Sequence, residues 1–129
     1  MPILNVTKFE FTVLASKKLY PQRFNSLTSR ELAEFIIQIA TPHYYFGKIA
    51  KPENEIVYHL ANFLKEAHPM LMVGDIHALL SLSSRKEINT IGKVDIETFS
   101  AILPKYETIL LDLILKMNEL AKQPNAVNS

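Results

Sequence analysis

The sequence predicts a mainly α protein, a compact bundle of four to five helices with an N-terminal β-strand. Apolar residues recur at three- and four-residue spacing through most of the chain, capping signatures precede several of those runs, and only one segment alternates with the period of a strand. With 129 residues, 48% of them hydrophobic and 21% charged, the chain suffices for one domain with a core but not for two. The expected organisation is a single helical domain over residues 1–122, with 1–20 as a strand or arm, and a flexible polar tail over 123–129.

Residues 3–14, ILNVTKFEFTVL, are the strand candidate. In an extended chain Phe9, Phe11 and Val13 point to one side and Lys8, Glu10 and Thr12 to the other. No second convincing strand follows, so this one must pair with a short segment or across a dimer, or else be a helix.

The next segment turns to helical periodicity. Thr28 and Glu31 have capping-box spacing and Leu27 with Leu32 the spacing of a hydrophobic staple, so a helix should start at Ser29. Leu32, Phe35, Ile36 and Ile39 share its inward face, and Pro42 should stop it. A second helix is expected from Pro52 to Ala67, because proline suits a first helical position and Glu53 and Glu55 favour the positive end of the dipole. Its expected core stripe is Ile56, Leu60, Phe63, Leu64 and Ala67.

Gly74 marks a break, and Asp75 should cap a shorter helix with Ile76, Leu79 and Leu80 inward. Asp95 is a further N-cap, with Val94 and Phe99 as its staple and Gly92 as a positive-φ turn glycine in the connector. Pro104 should kink that helix or begin a new one, after which Tyr106, Ile109, Leu110, Leu113, Ile114, Met117 and Leu120 form a stripe ending near Lys122. Leu111 and Leu115 fall nearly opposite that stripe. A helix apolar on two sides lies at the centre of its bundle or contacts another chain, which makes these two leucines the candidate partner-binding residues.

The chemistry open to the chain is narrow. Lysine and arginine total 14 against 13 acids, a formal charge of +1, so no global field draws it to nucleic acid or an anionic membrane. Zero cysteines removes disulfides, thiolate metal sites and thiol catalysis. The first residues lack a signal-peptide n-region and the apolar runs are too short to span a bilayer, so the expected location is the cytoplasm. The histidines, His43, His59, His68 and His77, have no two members on one helical face, and Glu55 with His59 is the one acid–imidazole pair at i,i+4, so no metal is expected. Gly92–Lys93 lacks the further glycines and the following Ser or Thr of a phosphate loop. Ser81, Ser83 and Ser84 have no glycine-flanked elbow, and no nucleophile, base and orienter can be assembled. The chain reads as a non-enzyme with no cofactor and no small-molecule substrate.

A nucleic-acid contact is the second reading. Tyr44, Tyr45 and Phe46, beside Lys48 and Lys51, can stack bases and meet phosphates, although the same residues also suit a loop anchored on the core. Arg85, Lys86 and Lys93 surround the connector before the Asp95 helix, and Lys17, Lys18 and Arg23 the N-terminal segment.

Residues 43–106 carry a family likeness in Asp75, Ile76, Ala78 and Leu79, then Gly92, Asp95, Phe99 and Tyr106. The pattern resembles small helical replication-accessory proteins of phages and mobile elements from Bacteroides-type bacteria. The resemblance implies an accessory part in phage or plasmid replication, through contact with a replication protein or DNA. Pro104 before the tyrosine, and a leucine-rich helix where that group tends to be basic, shift the implication toward protein contact. The expected function is a non-enzymatic helical interaction protein of a phage or mobile element; the alternatives are a nucleic-acid-binding accessory protein and a structural protein of a phage particle.

Overall fold

Thr7 opens the first helix. Its Oγ1 accepts the Glu10 N–H at 3.1 Å while the Glu10 carboxylate accepts the Thr7 N–H at 3.1 Å, a reciprocal capping box that pairs two of the N–H groups a helix start leaves unbonded. A computed structural model describes residues 7–122. Residues 1–6 and 123–129 and the Leu120 side chain lie outside the described set, and with them the start of the expected strand, the expected tail and the last member of the expected stripe.

Among the described residues five helices follow in order: α1 (Lys8–Leu19), α2 (Ser29–Tyr45), α3 (Asn54–Ala67), α4 (Val73–Ser84) and α5 (Ile96–Ala121), with a 3₁₀ turn at Phe24–Ser26. The mainly α bundle is therefore as the periodicity predicts. Over its described part the expected strand is instead helix α1: Val13 is buried and Phe11 is exposed, so the alternation of Phe9, Phe11 and Val13 is not used. Among the described residues no strand forms. One isolated antiparallel bridge joins Arg23 to Met72, with the Phe24 N–H on the Leu71 carbonyl and the Val73 N–H on the Gln22 carbonyl, each at 2.8 Å.

Two prolines lie inside helices. α2 continues through Pro42 to Tyr45, correcting the expected stop, and α5 runs through Pro104 as one element. Both prolines are exposed, and so are Gln38 and Ser100, whose carbonyls lose their helical donors, so water can replace the missing bonds.

Gly74 is not a break. It sits in the first turn of α4, where an added Cβ would come 2.3 Å from the Ser16 carbonyl oxygen and 2.5 Å from Lys17 Cα, so α1 and α4 cross backbone to backbone at this point. Gly92 has no positive φ, contrary to expectation, and a Cβ there would meet nothing. Among the described residues the left-handed positions are Gly47 at φ 72° and Lys86 at φ 60°. Each ends a helix in a Schellman motif. After α2 the Gly47 N–H reaches the Tyr44 carbonyl at 2.9 Å and the Lys48 N–H that of His43 at 2.8 Å; after α4 Lys86 reaches Ser83 at 3.0 Å and Glu87 reaches Leu82 at 2.8 Å.

The core is one cluster drawn from every helix, with Phe24, Leu32, Ile36, Leu60, Leu64, Ile76, Leu79, Phe99 and Tyr106 among its fully buried members. In α3 the inward face is Val57, Leu60, Ala61 and Leu64; Ile56 and Ala67 are exposed and Phe63 only half-buried, so the face is turned from the expected stripe. Both faces of α3 carry apolar residues, and packing against α2 selects between them.

Candidate interaction surface

α5 is the element that outgrows the bundle. Asp95 caps it, Oδ1 accepting the Thr98 N–H at 2.8 Å; hydrogen bonding from the Thr98 side chain first, and then from its N–H, holds the carboxyl below its usual range, and the Val94 and Phe99 staple is buried as expected. Phe99, Ile102, Leu103, Tyr106, Leu110 and Leu113 then follow the core. After Leu113 no described side chain of α5 is buried. Ile114 and Met117, expected in the buried stripe, are exposed, and Ile109 is half-buried. Leu111 and Leu115 are 55% and 56% exposed, so the outward placement read from their spacing is the one observed.

Beside this face lies a hollow that the sequence did not reveal. The loop between α3 and α4 brings Pro69, Met70 and Leu71 up to Leu110 and Ile114, enclosing about 440 Å³. A second hollow of about 430 Å³ shares Leu71, Leu110 and Ile114 and extends to Leu111. His68 at the end of α3 bonds Glu107 of α5 at 2.8 Å and ties the wall of the first hollow together. Met70 and Leu71 stand in a short loop without periodicity, so no pattern placed them next to α5.

The aromatic and basic residues gather at another place. The Ala50 N–H donates to the Gly92 carbonyl at 2.8 Å, fastening the loop after α2 to the loop after α4. Lys48 and Lys86 thereby flank one cleft, with His43 and Thr90, and Lys51 and Lys93 another of about 290 Å³ that also contains Glu53 and Asp95. Tyr44 and Tyr45 lie with ring centroids 5.4 Å apart, and Tyr45 and Phe46 are 78% and 79% exposed. Tyr45 and Phe46 therefore do not anchor this end of α2 in the core, contrary to the loop-anchor reading of them. Arg85 is turned away: its guanidinium bonds the Thr12 hydroxyl of α1 at 2.5 Å and pairs with Glu87. Lys17 and Arg23 are elsewhere, at the rim of the α5 hollow.

Buried polar groups are otherwise used for architecture. Tyr106 donates its hydroxyl to Asp75 Oδ1 at 2.6 Å, and Asp75 Oδ2 accepts the Met72 N–H at 2.7 Å. Asp75 is thus the third residue of α4 reaching back to its start, not the N-cap itself. Burial, then the neighbouring carboxylate, pushes the Tyr106 hydroxyl far above its ordinary range. The pairing nearest to a nucleophile and base is Ser16 Oγ with His77 Nδ1 at 2.7 Å, but Ser16 is buried where α1 meets α4 and no substrate atom can reach it. Burial lowers the His77 pKa, and burial followed by the charge of His77 lowers that of His43. Glu55 and His59 meet at 3.9 Å on the open surface. Among the described residues no three metal-ligating side chains converge, and no helix is long and apolar enough to cross a membrane.

No family model, curated protein or solved structure matches the chain.

Proposed function

We propose that the protein is a non-enzymatic helical interaction protein that docks through the outer half of α5, and that the partner helix is α5 of a second copy. The observation that carries this is the run Leu111, Ile114, Leu115 and Met117 left exposed where the core beneath α5 ends, beside a hollow that already has apolar walls. Charge favours self-pairing. Glu107 and Lys122 lie at opposite ends of the face bearing Leu111, Ile114 and Leu115. Antiparallel pairing about the midpoint of Ile114 and Leu115 sets Glu107, whose carboxylate also bonds His68 of its own chain, beside Lys122 of the second copy and the apolar side chains against each other.

Leu111→Glu with Leu115→Glu tests the reading. Both side chains are exposed, so the fold should persist by circular dichroism while the light-scattering mass falls from dimer to monomer. An unchanged mass removes the reading. The setting in phage or mobile-element replication is supported by the family likeness around Asp75 to Tyr106.

A further inference from the structure

The strip formed by the loops after α2 and α4 has features that self-association through α5 leaves unexplained. Lys48 and Lys51 come from one loop and Lys86 and Lys93 from the other, and the Ala50–Gly92 hydrogen bond holds the loops side by side. Lys48 and Lys86 follow helix C-termini, where a positive charge also suits the dipole. That accounts for two charges, but not for Tyr45 and Phe46, adjacent rings each about four-fifths exposed at the edge of the strip.

Lys86 adds a second argument. It occupies the left-handed position of its Schellman motif at φ 60°, where glycine would sit without strain, as Gly47 does after α2. A lysine there costs stability, and strained residues of this kind concentrate where a side chain is needed for contact. Arg85, by contrast, is bound to Thr12 and Glu87 and contributes nothing to the strip.

We propose that this strip binds single-stranded nucleic acid, Lys48, Lys51, Lys86 and Lys93 meeting consecutive phosphates while Tyr45 and Phe46 stack on bases. Unpaired bases are the chemistry that fits, because rings at the C-terminal end of α2 can stack only on bases that a duplex keeps covered. Glu53 and Asp95 share the cleft with Lys51 and Lys93 and reduce the local field, and phosphate contacts weaken as salt rises, so binding is strongest at low salt.

Fluorescence anisotropy of a labelled oligothymidylate, titrated with the protein at several salt concentrations, is the experiment. The expected result is binding whose logarithm falls linearly with that of salt, by about 0.7 for each phosphate contacted. Tyr45→Ala with Phe46→Ala should weaken it about fivefold or more with the slope unchanged, the loss of a base–aromatic stack. Lys48→Glu with Lys93→Glu should weaken it and flatten the slope. Leu111→Glu with Leu115→Glu should bind as the wild type, which separates this strip from the α5 face. No binding at low salt overturns the proposal, as does equal binding of duplex with the aromatic pair immaterial, or binding to anionic phospholipid vesicles but not to the oligomer.

Discussion

The Tyr106 hydroxyl donates to Asp75 Oδ1 at 2.6 Å with both side chains fully buried, so α5 is bonded to the first turn of α4 in the middle of the core. The second carboxylate oxygen takes the Met72 N–H, so one acid both caps α4 and positions α5. Replacing Tyr106 with Phe keeps the ring and strands one oxygen of Asp75, which should cost about 1–3 kcal/mol in urea unfolding. A cost near zero would show that the bond is not a support. In an alkaline ultraviolet titration, one of the five tyrosines should stay protonated until the fold is lost.

Gly74 leaves no room for a methyl group. A Cβ would lie 2.3 Å from the Ser16 carbonyl oxygen, and backbone cannot give way as a flexible side chain can. Gly74→Ala should therefore destabilise by about 3 kcal/mol or more, despite the better helix propensity of alanine. Gly92→Ala, with open space around it and no positive φ, should change stability by less than about 0.5 kcal/mol.

His43 and His77 make stability fall in acid. Burial depresses both pKa values below the ordinary 6.5, so the folded state binds protons less readily than the unfolded chain. Their stabilising contribution is complete above about pH 6.5 and is lost progressively as pH falls toward the depressed values. Urea midpoints should drop as pH falls below about 6.5, and His77→Gln should shallow that drop; a parallel curve for the variant would contradict this.

Lys86→Gly should stabilise the protein by about 0.5–1 kcal/mol, since relief of the left-handed strain exceeds the entropy cost of glycine. The same change should weaken oligothymidylate binding. Loss of stability would mean that the lysine side chain supports the fold.

Much of this architecture can be read along the chain where the signal is local. The Thr28–Glu31 capping box marks the start of α2, and Asp95 with its staple marks that of α5. The same box stands at Thr7 and Glu10, yet the alternating Phe9, Phe11 and Val13 suggest a strand; cap chemistry and burial of Val13 and Ser16 decide for helix. Pro42 reads as a stop and Pro104 as a kink or a new start because ring and missing donor are local facts, whereas exposure of the affected carbonyls is a property of the fold. The outward leucines 111 and 115 follow from helical spacing. Their neighbours Ile114 and Met117 look equally suited to the core, and only the point at which the bundle ends distinguishes them. Pairings such as Asp75 with Tyr106, or Met70 beside Ile114, join distant segments and leave no local trace.

The most direct measurement of the α5 pairing uses the absence of cysteine from the chain. A single Ile114→Cys substitution places one thiol near the proposed two-fold axis, and Tyr45→Cys places one at the C-terminal end of α2, outside the proposed interface. Under mild oxidation the antiparallel pairing predicts a covalent dimer for the first variant at concentrations where the second forms no covalent dimer. Failure of Ile114→Cys to cross-link, or equal cross-linking of both variants, would contradict it.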